Sequence, residues 1–281
     1  MARKLERSLP ARVAGKYDRL LEILKTMDGV LVAYSGGVDS TLLLRAAREA
    51  LGRGASAVTA ASVIHPAWET REAPALARRI GVPLRVLRVE PLADRAFAAN
   101  PPERCYHCKR KIFARFQELA RERGIPWVAD GSNADDVRDF RPGVKALAEL
   151  GIRSPLREAC LAKQDIRRLL RRFGLPNADM PALACLASRF PYGTKIDRPG
   201  LARVGRAEDF VRKLGFAQVR VRHHGAVARL EVEPKDFARL MKPEVRAKIG
   251  RGLKACGYAY VALDLEGYRT GSLNEPLKRR L

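Results

Sequence analysis

The sequence predicts an α/β fold in two domains, a parallel sheet covered by helices followed by a smaller α+β domain. Short apolar runs alternate with helical stretches over about the first 160 residues. A segment rich in proline and glycine, 180–200, precedes a region in which two strand-like runs adjoin each other. Strand–helix alternation is typical of parallel sheets, whereas adjoining strands indicate antiparallel pairing. We place the domains at residues 1–185 and 190–281.

Four Val- and Ala-rich runs are the predicted strands of the first domain, because each is short, apolar and bounded by glycine, proline or polar residues. They cover residues 29–34, 55–63, 84–90 and 125–132. Helices are predicted between and after them, over 39–51, 70–81, 109–124 and 163–176. Sites in such sheets lie beyond the carboxyl ends of the strands, so polar residues that follow a strand are candidates for binding.

The segment 180–200 predicts a long functional loop that leads into the second domain. Beyond it the predicted elements are a helix, two strands, a helix and a strand, over 201–215, 218–225, 227–234, 234–257 and 258–266. The two adjoining strands meet at His224 and Gly225, which predicts an antiparallel hairpin.

The composition is that of a globular protein without a membrane segment. Hydrophobic residues make up 47% and charged residues 30% of the 281 residues. No uninterrupted apolar run has the length of a membrane span, and the charged start of the chain lacks the apolar segment of a secretory signal. We therefore expect a cytoplasmic protein with no membrane partner.

The formal net charge of +23 predicts partners that carry phosphate. The arginines are scattered along the chain, and no basic block or basic–aromatic repeat marks a nucleic-acid surface. A small phosphate-bearing molecule is the favoured partner, and nucleic acid is the less favoured one.

The hexad SGGVDS stands between a predicted strand and a predicted helix, and it consists of Ser35, Gly36, Gly37, Val38, Asp39 and Ser40. Paired glycines let the backbone turn sharply and present N–H groups to an anion, and the following helix points its positive end at the same place. The hexad lacks the Gly-Lys-Ser/Thr of a Walker A loop. It resembles the PP-loop of the ATP-pyrophosphatase superfamily, in which the β- and γ-phosphates leave together while the substrate takes the AMP.

That resemblance implies ATP and Mg²⁺ as cofactors, with Asp39 as a magnesium ligand. A second polar run, DGSNADD at 130–136, follows the last predicted strand of the sheet. The run brings Asp130 and Asn133 to the same sheet edge, where their carboxylate and amide groups suit Mg²⁺ or orient the ATP.

The number of cysteines argues against a disulfide framework, because it is odd and the chain shows no export signal. The five are Cys105, Cys108, Cys160, Cys185 and Cys256. Cys105 and Cys108 have the C-x-x-C spacing that lets two thiolates meet one metal ion or cluster, and zinc, redox and iron–sulfur uses all stay open on that spacing alone.

Seven stretches together resemble the LarE family of ATP-dependent sulfur transferases, over about residues 15 to 275. They are SGGVDSTLL, NPPERCYHCK, DGSNADD, RPGVKALAELGIRSPL, ACLASRFPYG, VRVRHHGAVARLEV and GYRTGSLN. The resemblance implies a Rossmann-like PP-loop domain and a homo-oligomer. It also implies an enzyme that adenylates a carboxylate of pyridinium biscarboxylic acid mononucleotide and converts it to a thiocarboxylate, on the way to the nickel-pincer nucleotide of lactate racemase.

Members of that family obtain sulfur in two ways. Some sacrifice a cysteine, at the position that matches Cys185, and keep a dehydroalanine in its place. Others hold a [4Fe–4S] cluster on three cysteines, with one iron free to bind sulfide. Because Cys105, Cys108 and Cys185 are all present, the resemblance favours the cluster.

The same resemblance assigns three arginines to the substrate. Arg220 and Arg222 are two residues apart on a predicted strand and so face one side, where both would bind the phosphate of the nucleotide substrate. Arg189, close to Cys185, is a candidate for the acyl-phosphate.

Three other functions remain open at this stage. A tRNA thiolation enzyme of the same superfamily is favoured by the net charge. An ammonia-dependent synthetase would use the same loop without the cysteines. A regulatory module would bind ATP without chemistry, and release of pyrophosphate would exclude it.

Overall fold

The computed structural model describes residues 9–138, 142–181 and 184–278, and the predicted loop 180–200 is described except for its residues 182–183. The chain forms two compact units. The first unit contains the chain up to Ser62, Ala67–Val89 and the chain from Cys105 to the gap at 182–183. The second unit contains Val63–Pro66, Glu90–Arg104 and the chain from Ala184 onward. The domain limits at 185 and 190 stay a prediction.

The first unit is built on four strands, β1 Val30–Ala33, β2 Ala55–Ala61, β3 Leu84–Arg88 and β4 Trp127–Ala129. All pairs are parallel and the order is β3-β2-β1-β4. Each strand lies inside a predicted run, so the predicted α/β class is confirmed. Val30 of the inner strand β1 is in register with Ala55 on one side and Trp127 on the other. The carboxyl ends of β1 and β4 therefore lie side by side.

The helices in the described part of the chain are α1 Ala11–Lys25, α2 Val38–Leu51, α3 Ala67–Ile80, α4 Arg95–Ala98, α5 Arg104–Glu122, α6 Pro142–Glu149, α7 Pro155–Glu158, α8 Lys163–Arg172, α9 Arg198–Lys213, α10 Phe237–Leu240, α11 Pro243–Ala255 and α12 Glu275–Lys278. Not one of these described helices has both the length and the apolar character that a membrane span requires.

Helices pack on both faces of the parallel sheet because its inner strand β1 is apolar and buried on both faces. Successive side chains of a strand point to opposite sides. Val30 and Val32 accordingly belong to one core cluster with Leu43 of α2, whereas Leu31 belongs to another with Phe113 of α5. Two packed helical layers thus fix the sheet edge from which the loops after β1 and β4 emerge.

The second unit has three strands, β5 Val219–His224, β6 Val227–Val232 and β7 Tyr260–Leu263, in the order β5-β6-β7. β5 and β6 are antiparallel and joined at Gly225, whose φ of 62° suits a tight turn, so the predicted hairpin is confirmed. β7 pairs parallel to β6. The sheet packs its Val221 and Leu230 with Leu253 of α11.

The prediction of one continuous helix over 234–257 is wrong. The structure has a 3₁₀ turn over Pro234–Asp236, then α10, then a break before α11. Pro243 causes the break: the residue before it, Lys242, is extended with ψ 132°, because the proline ring disfavours helical backbone at that position. Pro243 then occupies the first turn of α11, where its missing N–H costs nothing.

Candidate active site

The hexad after β1 is a compact loop that its two serines close. The hydroxyl of Ser40 accepts a hydrogen bond from the Ser35 N–H at 3.2 Å and lies 3.1 Å from the Ser35 hydroxyl. The Ser35 hydroxyl accepts from the Gly37 N–H at 3.3 Å. Gly37 is the N-cap of α2. The loop and the helix end form the concave, donor-rich surface that binds phosphate in such folds.

Gly36 is required by its conformation and by its neighbour. Its φ is 77°, in the region that side-chain-bearing residues avoid, and a Cβ on it would lie 3.0 Å from the Cβ of Ala73 in α3. Any side chain at this position therefore strains the loop and pushes it away from α3.

Asp39, the predicted magnesium ligand, lies between two groups from distant parts of the first unit. Its Oδ1 accepts from the Asn133 side-chain amide at 3.2 Å, and its Oδ2 forms an ion pair with Lys163. The structure thus brings the predicted pair Asp39 and Asn133 together at the sheet edge. The Asp39 side chain is 24% exposed, so its carboxylate remains accessible to a ligand.

Asp130 has a different environment from Asn133. It is buried, and its carboxylate accepts hydrogen bonds from the hydroxyls of Ser132 at 2.5 Å and Ser154 at 2.7 Å. Lys109, which directly follows Cys108, places its ammonium 3.9 Å from the same carboxylate. These contacts make Asp130 an organiser of the loop after β4, and they leave Asn133 as the predicted residue of this run that contacts the hexad.

Asn177 stabilises the hexad by hydrogen bonds from its side chain. Its buried side-chain amide donates to the Gly36 carbonyl at 3.0 Å and to the Thr41 hydroxyl at 2.8 Å. It thereby holds Gly36 and the first turn of α2 in one arrangement.

Cys105 and Cys108 lie in the first turns of α5 and both are half-buried. Residues three apart on a helix share one face, so α5 offers two thiols to a common ligand. Among residues 9–138, 142–181 and 184–278, no group of three or more His, Cys, Asp or Glu side chains is gathered closely enough to hold a metal ion.

Cys185, in the second unit, begins a tight turn that ends at Arg189. The thiol is half-buried and free. Two donors hold the carbonyl of Cys185: the Ser188 hydroxyl at 2.8 Å and Nη1 of Arg189 at 3.1 Å. The N–H of Leu186 donates to Ile64 at 2.7 Å. The backbone on both sides of the thiol is therefore fixed.

Arg189 is held in this turn by contacts within the second unit, and its predicted contact with an acyl-phosphate stays a prediction. It is 2% exposed, and Nε and Nη2 bind the two oxygens of Glu208 at 2.8 and 2.9 Å. Nη1 donates to the Ala184 and Cys185 carbonyls. Because each guanidinium nitrogen donates inside the protein, Arg189 fixes the backbone of the turn.

Arg222 and Arg220 lie on one face of β5, as predicted. Arg222 is buried and binds both oxygens of Glu231 at 2.8 Å, while its Nη1 and Nη2 also reach the Ser188 carbonyl and the Ser272 hydroxyl at 2.8 and 2.9 Å. Arg220 is half-buried, and its guanidinium lies 5.4 Å from the centre of the Tyr268 ring.

The charges around Arg220 shift two pKa values in this part of the second unit. Burial, then repulsion by Arg189, lowers the pKa of Arg220 to about 10, although Glu208 opposes this. Burial works against the charge of Glu208 as well, but Arg189 and then Arg220 keep the pKa of that carboxyl below its ordinary value. Arg220 thus lies close to another arginine and to a buried carboxylate, and each of them influences its charge.

Sequence reasoning missed Lys163, Asn177, Ser188 and Glu208. Lys163 and Asn177 reach the hexad from 124 and 141 residues along the chain, a separation that no local pattern reveals. Glu208 lies on the inner side of an amphipathic helix, where an acidic residue breaks the apolar pattern. That break was the one available signal.

Comparison with known proteins gives three relatives, and no family model matches the chain. A protein of Synechocystis with no assigned function is 41% identical over 264 residues, which are 94% of this chain and 98% of that protein. Pyridinium-3,5-bisthiocarboxylic acid mononucleotide synthase of Lactiplantibacillus plantarum is 37% identical over 270 residues, 96% of this chain and 97% of the synthase. An uncharacterized protein of Methanocaldococcus jannaschii is 27% identical over 86% of this chain.

The match to the synthase spans nearly the whole of both chains, so it covers the hexad, the cysteines and the arginines of the second unit together. The chain belongs to the LarE-type sulfur transferase family of pyridinium-3,5-bisthiocarboxylic acid mononucleotide synthase.

Proposed function

We propose that this chain uses ATP to convert a carboxylate of pyridinium biscarboxylic acid mononucleotide into a thiocarboxylate, with release of AMP and pyrophosphate. The Lactiplantibacillus relative is named for synthesis of the corresponding bisthiocarboxylic acid mononucleotide, and this supports the same substrate class here. The observation that carries the proposal is the hexad at the start of α2. Its two serines close the loop by hydrogen bonds, and its Asp39 side chain is partly exposed to a ligand.

The first step activates a poor electrophile. A carboxylate oxygen of the substrate attacks the α-phosphorus of ATP, the bond to the oxygen that bridges to the β-phosphorus breaks, and the electron pair leaves with pyrophosphate. Backbone N–H groups of the hexad and the positive end of α2 bind the departing anion. The Asp39 carboxylate suits Mg²⁺, a hard cation that prefers oxygen ligands and offsets phosphate charge.

The second step transfers sulfur to the acyl carbon. The Cys185 thiolate attacks that carbon, a thioester forms, and AMP leaves with the electron pair of the broken C–O bond. Loss of the Cα proton of Cys185 then breaks its Cβ–S bond, so the sulfur stays on the product and dehydroalanine stays in the chain. The clamp formed by Arg189 and Ser188 keeps the cysteine backbone fixed for the attack.

Recognition of the substrate's phosphate is assigned to the arginines of β5. Arg220 is the candidate for direct contact, because it is half-buried whereas Arg189 and Arg222 are buried. Arg222 contributes charge while Glu231 and Ser272 fix its orientation.

A [4Fe–4S] cluster on Cys105, Cys108 and Cys185 is the alternative source of sulfur, and bound sulfide is what it would supply. Cys105 and Cys108 belong to the first unit and Cys185 to the second. Iron and sulfide analysis of anaerobically purified protein decides between the sources. Iron-containing protein that turns over repeatedly, without loss of mass, would replace the sacrifice of Cys185.

The proposal is tested by incubating the protein with Mg²⁺, ATP and the dicarboxylate mononucleotide. We expect AMP and pyrophosphate to form only when the acceptor is present, and the wild-type chain to lose the mass of one H₂S in the single turnover that Cys185 supports. Cys185→Ala should form no thiocarboxylate. Cys160→Ala is the matched control, since that thiol is exposed at the end of α7, and it should keep full activity.

Transfer RNA thiolation is a second candidate, favoured by the net charge of +23. It predicts tight tRNA binding at physiological salt and loss of a thiolated base on gene deletion. An ammonia-dependent reaction would leave Cys185→Ala fully active.

A further inference from the structure

The hexad lacks a cation of its own for the phosphates that leave. Negative charge develops on the pyrophosphate as the bond to the α-phosphorus breaks, and enzymes of phosphate transfer place a lysine, an arginine or a metal ion where that charge appears. SGGVDS contains only small, apolar or acidic side chains. A side-chain cation that acts on this charge together with Mg²⁺ therefore comes from elsewhere in the chain.

Lys163, the first residue of α8, provides an ammonium group at the hexad. Its Nζ forms an ion pair with Oδ2 of Asp39 inside the hexad. The two side chains are 32% and 24% exposed, so the pair stands at the open surface of the loop. The charge is therefore available to a ligand that binds there.

The backbone of Lys163 is fixed, although its side chain is long and flexible. Its N–H donates to the Asp135 carboxylate at 2.8 Å. Asp165, two residues later, accepts from the Ala162 N–H at 3.3 Å and from Lys16 at 2.6 Å. α8 also buries Ile166 in the core cluster that α2 joins. The helix start is thus held in place relative to the hexad, while four methylenes let the ammonium swing away from Asp39.

Lys109 is the other lysine at this sheet edge, but its contact is different. Its Nζ lies 3.9 Å from the buried Asp130 carboxylate, which lies outside the hexad. Asp130 is already held by two hydroxyls. Lys163 therefore has the more direct access to the loop.

We propose that Lys163 is a catalytic residue that binds the leaving pyrophosphate, supplying from α8 the cation that the hexad lacks. Without ligand its ammonium neutralises Asp39. When the triphosphate occupies the loop, the ammonium hydrogen-bonds the β- and γ-phosphate oxygens and stabilises the charge that develops as the bond to the α-phosphorus breaks. No proton is transferred in this step. The inference rests on the proposed function, because it requires ATP at the hexad.

The test measures equilibrium binding of inorganic pyrophosphate and of AMP, each with Mg²⁺, by calorimetry. Lys163→Met should weaken pyrophosphate binding at least about tenfold, the range of a charge-assisted hydrogen bond, and should leave AMP binding unchanged within about twofold. Lys163→Arg should restore part of the loss. Lys25→Met is the control, because Lys25 is an exposed lysine that pairs with Glu22 within α1, and it should bind pyrophosphate like the wild type.

A double substitution separates direct contact from neutralisation of Asp39. If Lys163 contacts phosphate, Lys163→Met should weaken pyrophosphate binding in an Asp39→Asn background as well. Equal binding by Asp39→Asn and by the double variant would overturn the direct contact, and wild-type affinity of Lys163→Met would overturn the inference altogether. Failure of the wild-type protein to bind both ATP and pyrophosphate would instead overturn the proposed function.

Discussion

Replacement of Glu208 by alanine tests how the second unit holds the Cys185 turn. Glu208 is buried and accepts two bonds from Arg189, at 2.8 and 2.9 Å, and one from the Val221 N–H at 2.9 Å. The substitution leaves the Arg189 guanidinium buried without a carboxylate. Removal of one partner of a buried ion pair costs about 3–5 kcal/mol, so the free energy of unfolding of the second unit should fall by about that amount.

Two measurements check this prediction. Urea denaturation followed by circular dichroism gives the free energy of unfolding, and hydrogen exchange with mass spectrometry of the β5 peptide reports on the Val221 N–H. Glu266→Ala is the control in the same unit, because its carboxylate is 72% exposed and pairs with Arg269, and it should change stability by less than about 1 kcal/mol. A loss below about 1 kcal/mol for Glu208→Ala, or unchanged exchange in β5, would refute the clamp.

The same carboxylate predicts a dependence of stability on pH. Arg189, Arg220 and the Val221 N–H outweigh burial and hold the pKa of Glu208 below its ordinary value of 4.5. A carboxyl group whose pKa is lower in the folded state stabilises the fold above its unfolded pKa, and this stabilisation is lost as the pH falls through the folded value. As the pH falls below about 4.5, the free energy of unfolding should therefore decrease less in the Glu208→Ala protein than in the wild type.

Three further substitutions give distinct results. Gly36→Ala, with φ at 77° and a close contact to Ala73, should lose about 1–2 kcal/mol and bind ATP weakly in a calorimetric titration. Asn177→Ala leaves buried groups of the hexad unpaired, so it should cost about 1–3 kcal/mol in urea unfolding and raise the Kd for ATP. Gly15→Ala, inside α1 with no atom near its new methyl, should raise stability by about 0.5–1 kcal/mol and leave ATP binding unchanged, and a lower Tm would contradict this.

The inner strand of the first unit was predictable because β1 is short, apolar and buried on both faces. The edge strand β3 is more exposed and contains two arginines, but its predicted run lies between two prolines. Both β1 and β2 begin within a residue of the predicted start. The prediction of the hairpin was correct because Gly225 lies between two short strand-like runs that each contain two valines. Helix α1 was missed because its charged residues obscure the buried Leu20 and Leu24.

The prediction of a continuous helix over 234–257 was wrong because of one residue. Pro243 fits the first turn of a helix but forces Lys242 out of helical geometry, so the apolar periodicity on both sides belongs to two helices. The pattern alone does not distinguish a proline that begins a helix from one inside it.

The residues of the candidate site were predictable where the chain places them next to a strand end. Asp39 and Asn133 meet because β1 and β4 are neighbours in a parallel sheet. The partners that fix them were not predictable, since Lys163 comes from a distant helix. Arg189 shows the same limit: its position beside Cys185 was evident, whereas the carboxylate that engages it lies on α9.

The most direct test of the account identifies the nucleotide products of a single reaction mixture. Purified protein, Mg²⁺, ATP labelled separately on the α- and γ-phosphates, and the dicarboxylate mononucleotide are combined, and the products are separated by chromatography. The account predicts AMP and intact pyrophosphate in equal amounts, formed only with the acceptor. ADP with inorganic phosphate would contradict it.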